Sequence, residues 1–513
     1  MKRYRITVGF FFLINLLFTL FCFGQSGTAN SYTAASFTDA NRLAKIKAAL
    51  PLIDKLYKEH AARNNFPGFV FGVVVDGQLI YSNAIGFTDI NNKVPASSSA
   101  AFRIASMSKS FTAAAILKLR DEGKLALDDK ASKYIPELTK AIYLTKDAPP
   151  ITVRDLVTHS AGFPEDNPWG DRQLEDSDAD LMQLIKKGVQ FSNAPGIAYE
   201  YSNLGFALLG NIITKVSGQS YQQYITENIL KPLGMNHTYW EYTKVPSAQL
   251  AHGYRKMGDG WKEEALLHDG AYGAMGGLIT TIEDFAKYMA LHEEAWPPSN
   301  DRENSVLKRS SLREMHQPWR FGSLNAQYKY SGTNRSCALA SAYGYGLRWT
   351  KDCGGRTAVG HSGGLPGFGS NWMILPDYGI GVMCFANLTY ASTTGINMQV
   401  LDTLINTAQL KPRQLLASPI LKQRQRELVK LLPAWKGAEQ SGIFAENFFL
   451  DYSIDTLQKE AADAFAKAGT IVKVHDVIAE NNLRGSFILE GEKNKLLVSF
   501  TLTPENPPLI QEY

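Results

Sequence analysis

The placement of strand-like segments is what most constrains this chain. Two apolar runs, residues 69–75 and 79–84, flank Asp76-Gly77. That dipeptide suits the two positive-φ positions of a type I′ turn, so the pair reads as an antiparallel hairpin. Strand patterns return only late, at residues 343–349, 357–360, 370–375 and 380–386. The region between is mostly helix and loop, with a helical segment over 111–119 ending near Gly123 and another over 282–292. Leu204, Leu208, Leu209, Ile212, Ile213 and Val216 trace one helix face closed by Gly218. Strands at both ends of a helical middle imply one sheet assembled from distant segments, an α/β or α+β arrangement and not a doubly wound repeat. A further helical pattern, Leu43, Ile46, Leu50, Ile53 and Leu56 within residues 41–64, leads into the hairpin.

The two ends read differently from this middle. Lys2, Arg3 and Arg5 precede an apolar run from Val8 to Phe23, and small residues Cys22 and Gly24 stand before Gln25. This is the layout of an export signal cleaved after residue 24, and the run is shorter than the ~20 residues that span a bilayer. The expectation is a secreted or periplasmic protein whose only membrane contact is the uncleaved signal. Residues 25–40 read as loose. Near Lys411-Pro412 the composition shifts, and residues 412–513 read as a small α+β accessory domain: a charged helix over 415–432, a helix capped by Asp455, running to Ala468 and stopped by Gly469, and strands over 471–478, 484–489 and 496–502. A length of 513 residues fits more than one core.

Charge excludes one class of partner. Of 53 Lys+Arg, the three in the signal leave with it, giving 50 against 49 Asp+Glu; a near-neutral mature chain carries no electrostatic footprint for nucleic acid. Of four cysteines, Cys22 leaves with the signal. A bridge between Cys337 and Cys353 and three buried thiols fit the remaining sequence equally. No cysteine lies in a CxxC and the nine histidines form no HExxH, so neither a metal nor another cofactor is expected.

Three short motifs carry chemistry. In Ser106-Met107-Ser108-Lys109 a serine at a helix entrance has a lysine one turn on, within reach to accept its proton. The helix N-terminus adds backbone N–H groups for an oxyanion. Tyr201-Ser202-Asn203 precedes the apolar helix at Leu204: a phenol for proton transfer, if a cation lowers its pKa, and an amide to hold lysine or substrate. His361-Ser362-Gly363-Gly364 follows the strand at 357–360, where an edge strand rich in glycine admits a substrate backbone and Gly364 N–H is a candidate second oxyanion donor. Each alone has an ordinary explanation: a capping serine, an N-capping asparagine, a loop histidine.

Together and in this order they resemble the serine β-lactamase and penicillin-binding-protein superfamily. The resemblance covers roughly residues 43–408. It includes Phe102-Arg103-Ile104-Ala105, the stretch Thr152-Val153-Arg154-Asp155-Leu156-Val157-Thr158-His159-Ser160-Ala161-Gly162, and Gly276-Gly277-Leu278-Ile279-Thr280-Thr281-Ile282-Glu283-Asp284. It implies a β-lactamase/transpeptidase-like α+β domain over 41–411, with an antiparallel sheet flanked by helices and a helical subdomain. It implies acylation of Ser106, proton transfers by Lys109 and Tyr201, substrate or lysine held by Asn203, and contacts from His361, Gly363 and Gly364. The implied substrate is a small molecule or short peptide: an ester, a D-amino-acid amide or a cell-wall-type peptide. A true β-lactamase, a DD-carboxypeptidase or a slowly deacylating penicillin sensor are the alternatives. One departure stands out. The third motif usually begins with lysine, and His361 resembles the esterase and D-aminopeptidase-like branch. A neutral imidazole there predicts a preference for uncharged substrates, easing as the ring charges toward pH 6. His159 reads as a structural hydrogen-bonder. Tyr272 and Met275 read equally as pocket lining or core, and Trp169 as part of a substrate wall.

Overall fold

The computed structural model of the protein describes residues 32–330 and 335–513. The expected export segment lies outside the described residues, among which no helix is long and apolar enough to cross a membrane. The chain divides into two compact units, one running from Ala35 to Gln414 and one containing Leu415–Tyr513.

The larger unit is α+β. Among the described residues, nine strands make one antiparallel sheet: β1 (Gly68–Val75), β2 (Gln78–Asp89), β3 (Val94–Pro95), β4 (Arg320–Lys329), β5 (Ser336–Tyr343), β6 (Arg348–Asp352), β7 (Thr357–Leu365), β8 (Phe368–Leu375) and β9 (Ile380–Ala386). Their order is β3-β2-β1-β9-β8-β7-β6-β5-β4. The first hairpin turns at Asp76 and Gly77, with φ of 50° and 75°. Distant segments meet where β1 pairs with β9, from Phe69 opposite Ala386 to Val75 opposite Ile380.

Both faces of the central strands are covered, which is why β1 is apolar throughout. Alternation still sorts its side chains. Val70 and Val74 point with Trp372, Met383 and Phe385 toward the core that contains helices α2 (Ser108–Asp121), α3 (Asn203–Ser217) and α4 (Ile282–Glu293). Phe69, Phe71, Val73 and Val75 face α1 (Arg42–Arg63) and α5 (Thr394–Thr407). The buried stripe of α1 is Ile46, Ala49, Ile53, Tyr57 and Ala61, whereas Leu43 is exposed. Two stripes in α1 satisfy the helical period, and the sheet selects the one whose Tyr57 stacks on Phe71 at 4.2 Å.

Two expectations need correction here. Residues 343–349 are not one strand: Tyr343 ends β5 and Arg348 opens β6, with a turn between that uses Gly346 at φ 65°. β4 is largely exposed, and its short alternation at Leu324, Ala326 and Tyr328 is the signal that could have revealed it. Residues 36–37 are tied down: Ser36 and Gln414 exchange backbone hydrogen bonds of 3.0 and 2.8 Å. The Phe37 ring also lies 3.8 Å from the Arg42 guanidinium and 4.6 Å from that of Arg413. A disulfide joins Cys337 to Cys353 across the β5–β6 hairpin, leaving Cys384 buried and free.

The smaller unit has helices α6 (Pro419–Leu431) and α7 (Ile454–Ala468) and strands β10 (Ile471–Val474), β11 (Ile478–Ala479), β12 (Arg484–Gly491), β13 (Lys495–Leu502) and β14 (Ile510–Glu512). Its core gathers Leu421, Leu428, Trp435, Phe448, Phe487 and Phe500. Helix α7 is capped by Ser453, not Asp455: the Ser453 hydroxyl accepts from Thr456 N–H, and Asp455 falls in the first turn.

Candidate active site

The segment bearing Ser106 is held from two sides. Phe102–Arg103 pairs with Ile279–Thr280, and Ile104 N–H donates to Leu278 O at 3.0 Å. A single 3₁₀ turn, Ala105–Met107, then leads into α2. Ala105 sits at φ 50°, a sparsely populated conformation for a residue with a Cβ that persists only when its surroundings enforce it. The enforcing contact is β7: a Cβ on Gly363 would lie 2.2 Å from Ile104 O, so only glycine lets the strand pack this close. No side-chain cap closes this turn or α2, so Ser106 is not a capping serine.

Lys109 is fully buried, and its Nζ has three partners: Ser106 Oγ at 3.1 Å, Asn203 Oδ1 at 2.7 Å and Met275 O at 2.9 Å. Two of these can only accept. A neutral amine therefore spends its two N–H bonds on Asn203 and Met275 and turns its lone pair to the Ser106 hydroxyl. Burial pushes the ammonium down to about 7, although Asp171 and Asp166 pull the other way. The geometry and the charge both suit a general base.

Tyr201 lies against this amine, its ring centroid 4.9 Å from Lys109 Nζ, and Ser106 is its side-chain hydrogen-bond partner. Burial raises the phenol well above its ordinary 10, against the expectation of a lowered value. Tyr201 is thus a proton donor at neutral pH. Asn203 is freed for Lys109 because Ser202 caps α3, accepting from Gly205 N–H at 3.2 Å. Asp166 completes that helix start, accepting from the Asn203 and Leu204 amides at 2.6 and 2.8 Å. His159 Nδ1 accepts from Ser202 N–H at 3.0 Å and its ring packs 4.3 Å from that of Tyr201, a supporting position.

The third motif differs from its sequence reading. His361 to Gly364 lie inside β7, not after it. β7 is internal to the sheet, yet its register with β6 ends at Gly360, so its side toward β6 is unpaired along the motif. His361 is buried and both ring nitrogens are engaged: Nδ1 donates to Ser362 O at 2.6 Å and Nε2 accepts from Tyr343 O–H at 2.9 Å. It has no hydrogen bond left for a ligand. Burial, with Arg348 and Lys109 nearby, holds it far below the usual imidazole range. The expected charging toward pH 6 is therefore corrected: the ring stays neutral.

Sequence reasoning missed Arg348. It opens β6 opposite Gly360, and its guanidinium lies 5.6 Å from the Tyr201 ring centroid. A lone cation inside an otherwise apolar run was the available signal, hidden by reading 343–349 as one buried strand. Tyr272 and Met275 are buried, and Met275 serves through its carbonyl. Trp169 is 45% exposed, with its ring edge-on to Tyr272 at 6.0 Å. Among the described residues, no group of three or more His, Cys, Asp or Glu is placed to hold a metal.

The family model described as Beta-lactamase matches residues 53–405, most of the chain and every residue of this constellation. The chain belongs to the Beta-lactamase family. Among curated proteins, Protein flp of Staphylococcus aureus (strain N315) is 31% identical over 343 residues, 66% of this chain. The match spans 62% of the length of Protein flp. Beta-lactamase-like protein 2 of Dictyostelium discoideum is 31% identical over 283 residues, 53% of this chain and 50% of that protein. The octameric penicillin-binding protein homologue from Pyrococcus abyssi superposes with a TM-score of 0.58 at 24% identity, over 89% of this chain and 91% of that one. That likeness supports the fold of this β-lactamase-family chain.

Proposed function

We propose that this β-lactamase-family protein is a serine hydrolase that forms an acyl-enzyme on Ser106. The carrying observation is the saturated Lys109 amine, whose lone pair has only Ser106 Oγ left to face. Lys109 takes the hydroxyl proton as Oγ attacks the acyl carbon, and the oxyanion forms toward Ser106 N–H and Gly364 N–H. The leaving group departs with a proton from Tyr201, which is re-protonated from Lys109. Water then repeats the sequence on the ester, releasing the acid and free Ser106. No cofactor is needed. The substrate is an ester, a D-amino-acid amide or a cell-wall-type peptide.

A second reading, a β-lactamase, DD-carboxypeptidase or slowly deacylating sensor, gains from one observation. Arg348 supplies at the cleft the permanent cation that His361 lacks, and a guanidinium is suited to a substrate carboxylate. Export is part of the proposal: the N-terminal pattern supports it, and the Cys337–Cys353 bridge fits an oxidising compartment. The test is a panel of short-chain p-nitrophenyl esters, D-amino-acid amides and β-lactams, with the acylated residue mapped by mass spectrometry. An adduct on a serine other than Ser106 overturns the assignment. A burst without steady turnover selects the sensor.

A further inference from the structure

The structure brings to this cleft a carboxylate that no motif contains. Asp171 belongs to a short helical turn, Gly170–Arg172, and is buried. The turn packs directly on Asn203, since a Cβ on Gly170 would lie 2.6 Å from Asn203 Cβ. Asp171 Oδ1 accepts from Asn203 Nδ2 at 3.3 Å, and the same amide nitrogen donates to Asn167 Oδ1 at 2.7 Å. Those two acceptors fix the amide's orientation and leave Asn203 Oδ1 for Lys109 Nζ. Asp171 Oδ2 accepts from Tyr390 O–H at 3.1 Å, and the Tyr390 ring lies against Gly364. One carboxylate thus connects the wall behind Lys109 to the strand that faces Ser106.

We propose that Asp171 is a positioning residue of the Ser106 site: its buried negative charge, relayed through Asn203, sets the protonation of Lys109 and so the lower pH limit of acylation. The inference rests on the serine-hydrolase reading. The groups that face Lys109 are Asp166 and, in the Gly170–Arg172 turn, Asp171, then Tyr201 at the head of α3, His159, His361 of β7 and Arg348 of β6. The two imidazoles are neutral and Tyr201 is protonated, so the balance lies between one guanidinium and two carboxylates that burial raises, Asp171 to about 6, so that its charge is present above that pH. Asp166 is satisfied by the start of α3. Among the described residues, the donors to Asp171 are the side chains of Asn203 and Tyr390, and Asp171 is the anion with the larger effect on Lys109.

Removing that charge should lower the lysine's affinity for its proton, so the neutral base persists to lower pH. The test measures the second-order rate at which an alkyl fluorophosphonate labels Ser106, from pH 5 to 9, with the site of labelling mapped by mass spectrometry. Wild type, Asp171→Asn, Asp171→Glu and Tyr390→Phe are compared. Asn removes the charge and, with one carbonyl oxygen, keeps one accepted hydrogen bond while meeting the other partner as a donor; Tyr390 is partly exposed, so Tyr390→Phe tests the same link at a site tolerant of change. The expected result is an acid limb displaced downward by about one pH unit in Asp171→Asn and by roughly half a unit in Tyr390→Phe, with Asp171→Glu near wild type. Variants that lose rate with the limb unmoved, or moved upward, overturn the proposal and leave Asp171 a packing residue. No label on Ser106 in the wild type overturns the parent reading, and this inference with it.

Discussion

The two walls of the cleft handle charge in opposite ways. On the α2–α3 side, Lys109 is buried with two carboxylates in reach, and its charge is balanced on burial against attraction. On the β6–β7 side, Arg348 is permanently charged, the burial of its guanidinium offset by the phenols of Tyr199, Tyr201 and Tyr343, while His361 is buried, neutral and fully hydrogen-bonded. A group that must give and take protons needs its affinity for a proton shifted toward neutrality, which burial does for Lys109; a guanidinium keeps its charge even where it loses water. The third-motif histidine therefore belongs with the framework, and the cation of that wall comes from the neighbouring strand.

The comparison breaks outright if Ser106 is not the shared target. Ser106→Ala should abolish turnover and leave the thermal midpoint nearly unchanged, because the side chain caps no helix. Next, Lys109→Ala and Tyr201→Phe should each lower kcat by about 10² or more, with the double variant little worse than the poorer single one. Losses confined to KM would make the buried wall a binding surface. At pH 9, where Lys109 is neutral, Arg348→Gln should read the other wall: kcat/KM falls roughly tenfold or more for carboxylate-bearing β-lactams and hardly at all for a neutral ester. Equal losses on both substrates would assign Arg348 to the chemistry.

The pH profile sharpens the contrast. Lys109 must be neutral to act and loses its proton near 7, so kcat/KM for a neutral ester should rise about tenfold per pH unit below that value and level off above it. A second ionisation between pH 6 and 8 that vanishes in His361→Gln would refute the framework role of the imidazole. The smallest effect expected is from the other unit. A chain ending at Gln414 should keep Ser106 reactivity within about twofold, since every cleft residue lies in Ala35–Gln414. The cut belongs after Gln414 and not at Leu410, because Gln414 pairs with Ser36 and Arg413 N–H donates to Asp377 O at 2.7 Å. Loss of soluble protein on truncation would count against independent folding.

Much of this is legible in the sequence. Asp76-Gly77 fixed the first hairpin, because few dipeptides take two positive φ angles. Ser106 and Lys109 declared themselves through helical spacing, and the helix from Leu204 to Gly218 through its apolar face and glycine stop. Local geometry writes these patterns, and local geometry is what a sequence displays. Misreadings came where a residue's meaning depends on distant partners. The stripe chosen in α1 waited on Phe71. Asp455 yielded the cap to Ser453 because both lie at a plausible distance before the helix.

The sequence by itself determined the family, the order of motifs and the pairing of Ser106 with Lys109, since these are properties of residue type and spacing. Only the tertiary structure decided the electrical state of the cleft. Whether Lys109 is poised, Tyr201 protonated or His361 chargeable depends on burial and on charges brought from residues 166, 171 and 348, far away along the chain. Coulomb and desolvation energies act through space, so no reading of neighbours along the sequence could supply them.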